Sequence, residues 1–276
     1  MPLLHQTFLN AFADYIVPIQ LDNEQFRAKL QREGILPEFC VAAFDGDKMA
    51  GFILTGLGEW QGLPTAYNAG TGVLPAYRGN GLTQQLYTFL LPKLRESGVE
   101  SCLLEVIKEN TPALKSYQQV GMQTTRSLDC FRVKKEELLL EADTPENITI
   151  GKATKPDWKV YQSFWDITPT WQNSILAIKR SRNDNVVLEA RDQNNAICGY
   201  IVVFPGSGAV AQLAVAHSYR NQGIGSALLR EAVKLVQAPV LLCINVDTAG
   251  TGVISFLKQR YFKPILQQYE MQMPVI

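Results

Sequence analysis

The stretch Tyr77-Arg78-Gly79-Asn80-Gly81-Leu82 has a counterpart in Tyr219-Arg220-Asn221-Gln222-Gly223-Ile224, about half of the 276-residue chain away. Self-similarity at that distance predicts two copies of one unit. Each hexapeptide follows an apolar run, Thr71-Gly72-Val73-Leu74-Pro75 or Gln212-Leu213-Ala214-Val215, and opens a segment of helical period over residues 84–91 or 226–233. The unit therefore reads strand, Arg-Gly loop, helix. A further apolar strand follows in each copy, Cys102-Leu103-Leu104-Glu105-Val106 or Val240-Leu241-Leu242-Cys243-Ile244, then a short helix and a final strand. Upstream, residues 39–44 turn at Asp45-Gly46-Asp47 into Gly51-Phe52-Ile53-Leu54, a hairpin signal. Residues 186–190, the polar turn Asp192-Gln193-Asn194-Asn195 and residues 198–203 repeat it, and two helical segments precede each hairpin. The charged run Lys134-Lys135-Glu136-Glu137, continuing to Thr144-Pro145-Glu146-Asn147, is the least core-like region. It places the boundary near residue 140, giving domains 1–140 and 141–276.

Composition narrows the function classes. A hydrophobic content of 46% supports a sizeable core, and 26 basic residues against 26 acidic ones give zero formal net charge. No Lys/Arg block is long enough to track a phosphate backbone, so neither nucleic acid nor a membrane surface is an expected partner. Met1-Pro2-Leu3-Leu4-His5 lacks the order of a signal peptide, and no stretch approaches the roughly 18 apolar residues of a membrane span. A cytoplasmic location is the expectation. Cys40, Cys102, Cys130, Cys198 and Cys243 are widely spaced in apolar runs and read as buried thiols, and His5 and His217 belong to no H-E-x-x-H pattern, so no metal is expected.

A glycine directly before a helix bares several backbone N–H groups next to the positive end of the helix dipole, which suits a diphosphate; a tight strand-to-helix turn is the alternative. Neither G-x-G-x-x-G nor G-x-x-x-x-G-K-[ST] is present. The pattern that remains, [QR]-x-x-G-x-[GA], is met in full by Arg220-Asn221-Gln222-Gly223-Ile224-Gly225. At this point the sequence resembles the GNAT superfamily of N-acyltransferases over nearly its whole length, as two tandem domains. The resemblance implies an α/β fold in which each domain is a mixed, mostly antiparallel sheet flanked by helices. It also implies acetyl-CoA as cosubstrate, with its pyrophosphate on the loop and its pantetheine along the preceding strand. In the first copy this maps onto Val73, Arg78, Gly79, Asn80, Gly81, Leu82 and Thr83, and in the second onto Val215, Arg220, Gln222, Gly223, Ile224, Gly225 and Ser226. Thr83 departs from the pattern, standing where Gly or Ala is usual.

The second family signature, an Asn followed by a short helix bearing a Tyr and then Gly-apolar, is matched by residues 110–122, from Asn110 through Tyr117 to Gly121-Met122. Asn110 then belongs to the cofactor site. Tyr117, about two helical turns on, is the candidate general acid for the departing thiolate, with a ring packed in the core as the alternative. Aligning Phe262 with Met122 puts Leu257 opposite Tyr117, and leucine donates no proton. Glu105 is the candidate base for the attacking amine; a strand glutamate facing solvent or pairing with Lys108 is its alternative. Asp14, Tyr15, Trp60 and Tyr67 are expected to line the acceptor pocket or to pack its rim. Helical residues 8–13 begin almost at Met1, whereas Asn147-Ile148-Thr149-Ile150 opens the second copy as a strand, so the first sheet is one strand short or residues 2–6 form a stub. The reading is acetyl transfer in the first copy to a primary amine of a small molecule or peptide, by direct attack on the thioester, in a monomer or homodimer. Two alternatives stay open: a non-catalytic coenzyme A-binding module, and activity in the second copy.

Overall fold

The computed structural model describes residues 2–140, 145–181 and 184–275, so Thr144 and the rest of 141–144, within the expected linker, lie outside the described residues. Turn chemistry sets the hairpins. β1 (Val41–Asp45) and β2 (Lys48–Trp60) join across Gly46-Asp47, and β2 returns into β3 (Leu63–Val73) across Gln61 and Gly62, both at positive φ. Two helices precede them, α1 (Pro2–Ala11) and α2 (Asn23–Glu33). α2 starts on a capping box between Asp22 and Gln25 and stops at Gly34, whose φ of 75° a side chain would resist. α3 (Leu82–Glu96), β4 (Ser101–Ile107), α4 (Thr111–Gln119) and β5 (Gln123–Lys134) complete the first pass. The second pass runs β6 (Thr149–Lys152), α5 (Trp158–Gln162), α6 (Ile175–Arg180), β7 (Val186–Arg191), β8 (Ile197–Phe204), β9 (Ala209–Val215), α7 (Ile224–Leu235), β10 (Val240–Asp247), α8 (Thr251–Gln259) and β11 (Lys263–Pro274).

The compact units are Met1–Arg126 with Gln268–Ile276, and Ser127–Gln267, so the chain does not divide in the linker. Each copy gives its final strand to the other unit's sheet. Unit 1 has the strand order β1-β2-β3-β4-β11 and unit 2 the order β5-β10-β9-β8-β7-β6. β11 runs antiparallel to β4 from Gln268 opposite Ile107 to Pro274 opposite Ser101, and β5 pairs with β10 from Lys134 opposite Val240. A period of two fixes which face a strand buries and leaves its partner open. Two copies of one unit offer equivalent edges at β4 and β10, so exchange satisfies the same backbone groups. Residues 2–6 belong to α1, and among the described residues unit 1 has no counterpart to β6.

In unit 1 one sheet face packs Phe52 and Leu54 against Phe8 of α1 and Phe26 of α2. The other packs Ile53, Leu104 and Val106 against Leu86, Leu90 and Leu94 of α3, with Met271 and Met273 of β11 joining them. In unit 2, Ile201 and Val203 pack on Leu228, Leu229 and Ala232 of α7. The end of α2 lies so close to β2 that a Cβ on Gly56 would stand 2.4 Å from the Glu33 carbonyl oxygen. Gly56→Ala is therefore expected to cost about 1–3 kcal/mol, read as a lowered Tm, because backbone rather than a flexible side chain must yield. No helix among the described residues is long and apolar enough to cross a membrane.

Candidate active site

The Arg-Gly loops come first. Arg78 spends its guanidinium inside unit 1: Nε donates to the Val73 carbonyl at 3.1 Å, Nη2 to the Ala11 carbonyl at 2.9 Å, and Nη1 and Nη2 to the Asp14 carboxylate at 2.6 and 2.8 Å. Asp14 is held below the usual carboxylate range, mainly by that bond. Arg220 does the same in unit 2, with Val215, Phe164 and Asp166 as its partners. The arginine thus bolts the end of the strand to the chain leaving the first helix of each unit, α1 or α5. Even its backbone N–H is used, on Pro75 in one unit and His217 in the other. That long-range role is invisible in the hexapeptide itself. The loop backbone beyond it is bare: Gly79, Gly81, Asn221 and Gly223 all have positive φ, and neither α3 nor α7 has a side-chain cap. The first three N–H groups of each helix therefore have no partner within it, and the fourth, on Gln85 or Ala227, bonds the carbonyl of Gly81 or Gly223. Thr83 is half-buried on the first turn of α3. Its counterpart Gly225 lies under Phe256, whose ring a Cβ would meet at 3.0 Å.

Just before the loop, β3 carries one residue more than its partner, since Thr55 faces Asn68 and Leu54 faces Gly70. The parallel ladder to β4 spans only Thr65 to Tyr67 opposite Ser101 to Leu103. Where it stops, Asn68 Nδ2 donates to Thr71 Oγ1 and Tyr87 Oη, both at 2.7 Å, and Asn68 Oδ1 accepts from the Gly70 N–H. The Tyr117 hydroxyl joins this group through hydrogen bonds with Thr71 and Asn68, and its ring stands edge-on to Tyr87 at 6.4 Å. Burial pushes the Tyr117 phenol up to about 12, so at neutral pH it is a proton donor. Asn110 caps α4 through the Ala113 N–H and also hydrogen-bonds the Tyr15 hydroxyl, tying the segment after α1 to this place. Asn68, Thr71 and Tyr87 were not singled out as site residues from the sequence; the signal was an Asn beside Gly70 and Gly72 in a strand, the composition of a bulge.

The opposite face of the sheet carries the ionisable groups. Tyr67 donates its hydroxyl proton to Glu105 Oε2 across β3 and β4, while Glu105 Oε1 is buried without a hydrogen-bond partner. Burial raises the Glu105 carboxyl to about 8, the Tyr67 hydrogen bond and Arg126 opposing the rise and Glu270 and Glu33 adding to it. Glu33, 4% exposed, is paired with Lys29, and Glu270, 1% exposed, with Arg126. Asp14, Tyr15 and Tyr67 of the expected acceptor lining thus contact site residues, and Trp60 lies under the Arg126 guanidinium, 5.5 Å from its ring centroid.

Unit 2 answers position by position. β9 has its extra residue at Ala211, so Val210 and Leu213 stand where Asn68 and Thr71 do. Leu229 and Leu257 take the places of Tyr87 and Tyr117. All four line a cavity of about 810 Å³ that reaches the loop residues Arg220, Gly223, Gly225 and Ser226. Where Glu105 faces Glu270, Asn245 and Cys130 meet instead, Sγ to Oδ1 at 3.8 Å. Asn173 ties the two parted strands, accepting from Gln212 Nε2 at 2.6 Å on β9 and donating to the Ile244 carbonyl at 2.9 Å on β10. Among the described residues, no group of three or more His, Cys, Asp or Glu could hold a metal ion.

Known proteins resemble both halves. The family model described as "Acetyltransferase (GNAT) family" matches residues 6–122, and that described as "Acetyltransferase (GNAT) domain" matches residues 183–259. The chain is 31% identical over 106 residues to an N-alpha-acetyltransferase MAK3 of Arabidopsis thaliana, covering 36% of this chain and 56% of that one. It is 33% identical over 129 residues to a mycothiol acetyltransferase of Thermobifida fusca, covering 44% and 40%. The matches thus span about half the length of these curated relatives. A tandem GNAT protein from the clavulanic acid biosynthesis pathway shares the fold over 99% of this chain and 95% of its own, with a TM-score of 0.73 at 14% identity. A GCN5-related N-acetyltransferase from Sphaerobacter thermophilus does so over 99% and 92%, with a TM-score of 0.73 at 18% identity. With both family models spanning most of its length and a tandem neighbour matching it end to end, the chain belongs to the GNAT acetyltransferase family and carries two GNAT domains in tandem.

Proposed function

We propose that unit 1 transfers the acetyl group of acetyl-CoA to a primary amine of a small molecule or peptide. The observation that carries this reading is the contrast at the parted strands: Asn68, Thr71, Tyr87 and Tyr117 in unit 1 against Val210, Leu213, Leu229 and Leu257 in unit 2. Loop N–H groups from Gly79 to Thr83 would hold the pyrophosphate, with Val73 beside the pantetheine and Arg78 holding the loop in shape. The amine nitrogen attacks the thioester carbonyl carbon, forming the C–N bond as the C–S bond breaks. Glu105 takes the proton that the amine loses, and Tyr117 gives its proton to the leaving sulfur, so both residues end the cycle ready to exchange protons with solvent. Asn68 and Thr71 keep the phenol aimed between the strands.

Unit 2 is read as a second coenzyme A site without transfer. The cavity of about 810 Å³ beside Arg220, Gly223, Ile224, Gly225 and Ser226 favours binding, with Val215 at its wall. Asn245 and Leu257 supply neither base nor acid. Gly81→Asp and Gly223→Asp separate the two roles, because aspartate tolerates positive φ and its carboxylate repels a pyrophosphate. Gly81→Asp is expected to cut turnover, measured as free thiol released with a panel of amines, by at least about tenfold. Gly223→Asp is expected to leave turnover in place and halve the acetyl-CoA bound per chain in calorimetry. The opposite assignment of turnover would move the activity to unit 2, and no thiol release from any variant or the parent chain would leave a binding module.

A further inference from the structure

We propose that Glu270 and Arg126 form a positioning pair for Glu105, a role that rests on reading Glu105 as the proton acceptor. The geometry is that of a cross-strand contact. Glu270 of β11 is the residue directly opposite Glu105 of β4, and in an antiparallel pair such residues share a face with their Cβ atoms about 5 Å apart. Glu270 cannot turn away. Arg126 Nε holds its Oε1 at 2.9 Å, Arg126 Nη2 holds Oε2, and Thr125 Oγ1 donates to Oε1 at 2.9 Å. The Arg126 guanidinium is itself seated over the Trp60 ring. Among the described residues, the charged and titratable groups that act on Glu105 come from four elements: Glu33 of α2, with Lys29 on it and Arg32 beside Glu33 and Tyr67; Tyr67 of β3; Glu270 of β11; and Arg126 of β5.

Within this set, Glu270 and Glu33 already have their cations, and Glu105 has a phenol. A like charge directly opposite disfavours a second anion, and the arginine gripping that charge offsets it. The pair therefore sets how readily Glu105 accepts a proton while barring any direct ion pair that would fill Oε1. Because Glu270 lies beyond the whole of unit 2 in the chain, the first unit's chemistry depends on a residue its own copy does not encode.

The test is a carbon NMR titration of the full chain labelled at the glutamate carboxyls, with Glu105→Gln identifying the Glu105 signal. The parent midpoint is expected near 8. Glu270→Gln is expected to lower it and Arg126→Gln to raise it, each by roughly one pH unit. Either variant alone decides the sign, so misfolding of one leaves the other as the test. Midpoints that stay put, or that move the same way in both, overturn the proposal. So does Thr125→Val if it shifts the midpoint as far, since that change alters packing and no charge. If Glu105→Gln loses turnover while the midpoints do not move, this role fails and the base reading stands. Turnover unchanged in Glu105→Gln removes both.

Discussion

A chain stopped at Gln267 is expected to lose the fold of unit 1 and all turnover, seen as loss of one unfolding transition and as dye binding to exposed apolar surface. The strand removed makes seven pairs with β4, from Gln268 opposite Ile107 to Pro274 opposite Ser101. Met271 is fully buried and Met273 nearly so, both in the core with Leu104 and Val106. Emptying a buried Met site costs about 2–5 kcal/mol, and breaking the buried Arg126–Glu270 pair by removing its carboxylate costs about 3–5 kcal/mol more. Together these match the whole stability of an ordinary domain, about 5–15 kcal/mol. The single change Met271→Ala is expected to reproduce part of the loss. Retention of a native unit 1 in the shortened chain would mean that β5 can leave β10 and close the first sheet.

Glu105→Gln is expected to lower kcat/KM by about 10²–10⁴-fold with the fold intact, as general base losses do. Glutamine keeps an acceptor for the Tyr67 hydroxyl and lacks only the ability to ionise. In the parent chain, with the Glu105 carboxyl raised to about 8, the proton-accepting form is scarce at acid pH. The rate is therefore expected to climb about tenfold per pH unit below 8 and to level above it, while Tyr117, raised to about 12, keeps its proton throughout. Stability has the opposite sign. A carboxyl raised in the folded state favours folding below its unfolded value of about 4.5, and that contribution fades as pH rises through about 8. Glu105→Gln, neutral at every pH, is expected to lose that dependence, which thermal melts at pH 6 and pH 9 would show.

What could be read from the sequence was what local chemistry decides. The two Arg-Gly loops, the hairpin turns at Gly46 and at Asp192 to Asn195, and the Asn110-to-Tyr117 helix depend on neighbours within a dozen residues, and each formed where its pattern lay. Glu105, Tyr67 and Tyr117 are each named singly by the sequence, but the meeting of Tyr67 with Glu105 follows from the parallel register of β3 on β4, and Tyr117 reaches the α3 face from α4. The hold of Arg78 on Asp14 and the Ala11 carbonyl spans the whole hairpin, and no spacing announces it. The strand partners were hidden for a different reason: two copies of one pattern cannot distinguish the home edge from the foreign one, so alternation in residues 123–134 and 263–274 fits either sheet equally.

The exchanged strands also govern the order in which the protein can be made. When the ribosome has delivered β4 and β5, the edge of β4 that β11 will cover is still open, and it stays open until about half of the chain has followed. A new chain therefore carries an apolar strand edge through most of its synthesis, the condition in which neighbouring nascent chains pair with one another. Slow translation of unit 2, or high expression, should favour dimers in which β11 of one molecule closes the sheet of another.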